Sequence, residues 1–127
     1  MPVIKVEGGV WERYDALVCK ITEKAIMLLG GPRHLILHRN LTWLPSLVEA
    51  AYVWLLYDMA GKTQKEIASL LGLTTTTVSK ILSAKVEEVK KKIMDGEDID
   101  THVAGGLARW AYEELKKEGL LNGKQVP

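Results

Sequence analysis

The chain has 127 residues, 47% of them hydrophobic and 26% charged, with a formal net charge of +1. That length suits one domain with a real core, and the average globular composition excludes a fibrous or disordered protein. The single cysteine, Cys19, excludes an intrachain disulfide and a Cys-based zinc cluster, and fits a reducing cytoplasm.

Residues 1–9 lack the apolar run of a secretory signal, and no apolar stretch approaches the roughly 20 residues that cross a bilayer. A cytoplasmic protein without a membrane anchor is expected. The net charge conceals an uneven distribution. Lys and Arg number 6 against 6 acidic residues in positions 1–60, 7 against 3 in 61–94 and 4 against 7 in 95–127. The positive excess sits in the middle, where a phosphate-facing surface would lie.

In chain order, Trp11, Tyr14, Leu17, Val18, Ile21, Ala25 and Leu28 recur three or four residues apart and predict a helix over Val10–Leu29, stopped by Gly30, Gly31 and Pro32. Val3–Val6 and Leu35–Leu37 are short, with branched residues, and are expected to pair as a small β-ribbon. Pro45 suits a first helical turn, and the apolar run from Leu47 predicts a helix to about Ala60, ended by Gly61.

Thr63 and Glu66 form a capping-box pattern that opens a short helix through Leu71, broken by Gly72. Thr74, Thr75 and Thr76 offer hydroxyl N-caps for a third helix with Val78, Ile81, Leu82, Val86, Val89 and Ile93 inward, expected to run unbroken to Asp95–Gly96. After the acidic linker Gly96–Asp100, a last helix is predicted over Thr101–Glu118, with Gly119 as its stop. Gly105 and Gly106 weaken its first turns and suit a site where another helix comes close.

The stretch Gln64–Leu82 meets a specific geometric demand, two helices crossing steeply over a tight turn. Ala68 is small where the second helix passes, Gly72 supplies a positive-φ turn, and Ile67, Leu71, Leu73, Val78 and Ile81 fill the wedge. Through Gln64, Ile67, Ala68, Gly72, Val78 and Ile81 with the capping box, Leu44–Leu82 resembles the helix-turn-helix superfamily in its trihelical form, as in sigma-factor-type and LuxR-type DNA-binding domains. The whole chain is also similar to small archaeal regulators associated with KaiC-like ATPases, through Thr42-Trp43-Leu44-Pro45, Gly61-Lys62-Thr63-Gln64 and Trp110.

The superfamily resemblance implies that the second motif helix enters the major groove of double-stranded DNA while the first crosses the backbone. Carried onto this chain, Thr74, Thr75, Thr76, Ser79, Lys80 and Ser83 face DNA, and Gln64 and Lys65, with the neighbouring amide N–H groups, hold phosphate. Lys62 and Lys85 flank the same side. The implied reading surface has no Arg, Asn or Gln, the side chains of bidentate base contacts, so specificity is expected to be modest or to come from dimer spacing.

No other chemistry competes well. His34 and His38 have a zinc-like spacing but sit in a short Leu-rich segment, and His102 reads as part of a helix start. The pairs Glu87–Glu88 and Glu113–Glu114 read as solvated helix faces, and Trp11, Trp43, Trp54 and Trp110 as core or oligomer contacts. No catalytic residue, cofactor or metal is expected.

The expected architecture is mainly α, one domain over 1–127: an N-terminal helix and short apolar segments in 1–43, the helix-turn-helix unit in 44–94 and a C-terminal helix in 95–127. The expected function is a homodimeric DNA-binding transcriptional regulator, its subunits joined by the flanking helices. The alternative is a protein-interaction module, partner of an ATPase or transcription factor, that retains the fold without touching DNA. The near-neutral charge, the acidic C-terminal segment and the lack of arginine in 61–94 favour it.

Overall fold

Tyr14, Leu17, Val18, Ile21, Ala25 and Leu29 form the buried stripe of helix α1, Val10–Leu29, the first element of a computed structural model that describes residues 9–33, 43–96 and 101–120. Their spacing of three or four repeats the helical period, so one face turns inward. Helix α2 spans Trp43–Trp54 and continues directly into a π-helical turn, Leu55–Met59. Four further helices follow: α3, Gln64–Leu71; α4, Thr75–Leu82; α5, Val86–Met94; and α6, Thr101–Lys117. The fold is mainly α, with no strand among the described residues. The expected ribbon of Val3–Val6 with Leu35–Leu37, the His34–His38 pair and most of the acidic linker lie outside them.

Helix α6 is the central packing element, lying against α2, α1 and α5, while α3 and α4 pack on each other. Leu107 on α6 and Leu47, Val53, Leu55 and Leu56 on the α2 segment are fully buried. Each such side chain stabilises the fold by roughly 1.5–3 kcal/mol through removal of apolar surface from water.

Two tyrosine–carboxylate bonds tie the bundle together. Tyr52 on α2 donates to Asp15 Oδ1 on α1, and Tyr112 on α6 donates to Asp58 Oδ2 in the π turn. Burial, followed by the neighbouring carboxylate, pushes both phenols well above their ordinary pKa, so both remain protonated donors. Lys116 Nζ reaches the same Asp58 oxygen at 2.8 Å.

Two expectations need correction. The helix expected to run through Ala60 leaves α geometry after Trp54, and Ala60 N–H bonds to Leu55 O in the wider π pattern. The long third helix is two helices. Ser83 caps α4 with its amide on the carbonyls of Ser79 and Lys80, Ala84 N–H bonds to Ile81 O, and α5 restarts at Val86. The last helix runs over Thr101–Lys117, within one residue of the expected span.

Gly106 carries out the close approach expected of the glycine pair. A Cβ there would lie 3.0 Å from Lys85 O and overlap Val89 Cγ2, so α5 can sit on α6 only at a residue without a side chain. At Gly105 a Cβ would meet Ala84 Cβ at 3.5 Å, an ordinary contact.

Candidate nucleic-acid interface

The pair α3–α4 begins with a completed capping box. Thr63 Oγ1 accepts from Glu66 N–H at 3.1 Å, and Thr63 N–H donates to Glu66 Oε1 at 3.0 Å. The bond from the Thr63 amide is the leading cause that holds the Glu66 carboxyl below its ordinary pKa. Gln64 and Lys65 in the following turn are exposed. The Glu66 amide, one of those assigned to phosphate, is already used within the protein, and a carboxylate stands at this helix start.

Gly72 ends α3 with φ 70°, the left-handed region that only glycine enters without strain, and Leu73 N–H bonds back to Ala68 O at 2.8 Å. This turn carries the chain from α3 into α4. Ile67 and Val78 are fully buried in the wedge and Ala68 nearly so, whereas Leu71, Leu73 and Ile81 are half-buried at its edge.

Thr74 is the N-cap of α4. Its Oγ1 accepts from Thr77 N–H at 3.1 Å and donates to Thr77 Oγ1 at 3.0 Å. At the other end, Ser83 Oγ donates to Lys80 O at 2.8 Å. Both hydroxyls assigned to DNA therefore have structural partners. Thr75, Thr76, Ser79 and Lys80 are exposed on the helix between these caps. Residues three and four apart share a face, so Thr75 neighbours Ser79, and Thr76 neighbours Ser79 and Lys80.

Lys65, Lys80 and Lys85 are exposed and Lys62 partly so, and Glu66 is the only acidic residue from 61 to 86. Of the eight residues assigned to the site, six are free of structural duty: Gln64, Lys65, Thr75, Thr76, Ser79 and Lys80. All six lie on the α3–α4 pair.

Sequence reasoning missed Arg109 on α6. Its Nη1 donates to Ala84 O at 2.9 Å, its Nε contacts Glu113 Oε1 at 3.0 Å, and the guanidinium lies 4.9 Å from the Trp54 ring centroid. The Glu113 spacing of i,i+4 was readable, but the other two partners lie far away in the chain.

Among the described residues no helix is long and apolar enough to cross a membrane, and no three His, Cys, Asp or Glu side chains gather as a metal site requires. No protein family, curated protein or solved structure matches the chain.

Proposed function

We propose that the protein is a DNA-binding transcriptional regulator that lays α4 in the major groove of double-stranded DNA. The observation that carries this reading is the α3–Gly72–α4 unit itself. Its buried wedge of Ile67, Ala68 and Val78 leaves Thr75, Thr76, Ser79 and Lys80 outward on the second helix. The threonine methyls suit thymine methyl groups, the hydroxyls suit bases or phosphates, and Lys80 suits a guanine edge or a phosphate. Lys65 and Lys62 flank them for backbone contact.

With so few base-reading groups, one subunit binds weakly, and a homodimer spanning two half-sites about one DNA turn apart supplies the missing affinity. Sedimentation at micromolar concentration tests this: a dimer is the expected species, and a lone 14.1 kDa monomer rejects it.

The direct test is fluorescence anisotropy with random-sequence duplex DNA between about 50 and about 200 mM salt, the range over which counterion release changes affinity steeply. Binding that weakens with salt, and weakens further in Lys80→Ala, is the expected result. Absence of binding at the lower salt overturns the reading. The lack of arginine from 61–94 then favours the second reading, a helical module that docks on a protein.

A further inference from the structure

We propose that the apolar hollow between α1 and α2 binds a lipophilic cation, an ammonium group carried on a hydrocarbon body. The hollow has a volume of about 470 Å³, within the usual size of small-molecule sites. None of its lining residues belongs to α3 or α4, so the site does not rest on the DNA reading above.

Most of the wall is hydrocarbon. Val18, Ile26 and Met27 on α1, Pro32 after it and Val48 on α2 line it. Val18 is buried, but Met27 remains 58% exposed, apolar surface that a ligand would remove from water.

The charge of the hollow has one sign. Asp15 and Glu23 are its only charged lining residues, and no base lines the hollow with them. Lys20 and Lys24, the lysines nearest to Glu23 in the chain, are absent from the lining, and Lys24 is taken by Glu118 at 2.7 Å. Asp15, Cys19, Glu23 and Ile26 recur at intervals of three or four and share one stripe of α1. A helical rise of about 1.5 Å per residue puts the two carboxylates about 12 Å apart along the axis, so a compact ammonium meets one of them at a time.

The Asp15 end is also aromatic. The Tyr52 hydroxyl donates to Asp15 Oδ1 and fixes that carboxylate, and Trp11 packs edge-on against the Tyr52 ring with 6.4 Å between centroids. A ring face and a fixed carboxylate attract the same kind of group, a positive charge out of bulk water. A neutral apolar molecule would gain only from the hydrocarbon wall, and an anion would be repelled by both acids. The cation therefore belongs beside Asp15 and Tyr52, with its hydrocarbon body running along α1 toward Ile26 and Met27.

Isothermal titration calorimetry of the full chain with hexyltrimethylammonium tests the site. Tetramethylammonium, 1-hexanol and hexanoate serve as the bare cation, the neutral chain and the anionic chain. Hexyltrimethylammonium should bind with a Kd below about 1 mM, about tenfold or more tighter than any of the other three. Asp15→Asn, which keeps an acceptor for Tyr52, should weaken it by about fivefold or more with thermal unfolding little changed. Val48→Trp should abolish it by filling the hollow, and Lys20→Gln, outside the stripe, should leave it as it was. No heat from hexyltrimethylammonium at about 10 mM overturns the site. Hexanol or hexanoate as tight as the cation, or Asp15→Asn binding as the parent does, overturns the assignment of a cation to it.

Discussion

Arg109 Nη1 donates to the carbonyl oxygen of Ala84, 2.9 Å away and 25 positions earlier in the chain, and so ties α6 to the turn between α4 and α5. Ala84 O belongs to the turn where the helical ladder is interrupted and would otherwise need another donor. The same guanidinium stacks 4.9 Å from the centroid of Trp54, the last residue of α2, so one side chain joins three elements. Arg109→Ala removes a charged hydrogen bond and a partly exposed cation–π contact, together about 2 kcal/mol. Arg109→Lys keeps the charge but not the planar fork and should recover less than half of that. Urea unfolding followed by tryptophan fluorescence measures both, and a loss of less than about 0.5 kcal/mol in Arg109→Ala refutes the tie.

Adjacent glycines in α6 should respond in opposite directions to the same methyl group. Gly105→Ala places its Cβ at ordinary distance from Ala84 and gains helix propensity, so stability should rise by up to about 1 kcal/mol. Gly106→Ala drives its methyl into Val89 and against the Lys85 carbonyl, and overpacking of this kind costs about 1–3 kcal/mol. Thermal unfolding of the two variants side by side decides the matter. Equal melting temperatures would mean that α5 does not approach α6 at Gly106.

The features legible in the sequence are those set by neighbours in the chain. The capping box of Thr63 and Glu66 needs a hydroxyl and a carboxylate three residues apart, and the exit from α3 needs a residue tolerant of positive φ, supplied by Gly72. The break at Ser83–Lys85 was not legible, because no Gly or Pro marks it and the apolar spacing of Val78, Leu82, Val86 and Val89 continues across it. What holds that turn includes Arg109, from a distant helix. The π turn at Leu55–Met59 was hidden likewise: its residues read as a continuing helix, and the side chains meeting Asp58 there, Tyr112 and Lys116, come from α6. At the candidate site, the outward placement of Thr75, Thr76, Ser79 and Lys80 was what the helix-turn-helix resemblance implied, and all four are exposed. The structural use of Thr74 depended on which of three consecutive threonines caps the helix.

Acid should destabilise the fold through two carboxylates of the same sign. The Thr63 amide lowers the Glu66 carboxyl; burial raises that of Asp58, but the bonds from Lys116 and Tyr112 outweigh it and leave it lowered. A carboxyl whose folded pKa is depressed contributes stability present above its unfolded pKa and lost as pH falls through its folded one, so the loss here begins below about pH 5. Glu49 has the opposite sign. Its raised pKa costs stability at neutral pH, and that cost is relieved as pH falls through its folded value. Urea midpoints at several pH values should therefore show a shallower acid loss in Thr63→Ala, which gives up the Glu66 bond. An acid profile in Thr63→Ala parallel to that of the parent rejects the capping-box contribution.

Thr74→Ala and Lys80→Ala should separate folding from DNA binding. Thr74 Oγ1 is committed to the Thr77 amide and hydroxyl, so its loss removes an N-cap and costs about 1 kcal/mol of stability. Lys80 is exposed and without an ion pair, so Lys80→Ala should leave the urea midpoint nearly unchanged. If Lys80 neutralises one phosphate, its removal lowers the slope of log K against log salt by about 0.9, since one counterion fewer is released. If it reads a guanine edge instead, the slope holds and affinity falls by about 1–3 kcal/mol only on sequences with that guanine. A slope measured on random duplex DNA and on a selected site distinguishes the two. An affinity unchanged on both removes Lys80 from the interface and leaves α4 without its cationic contact.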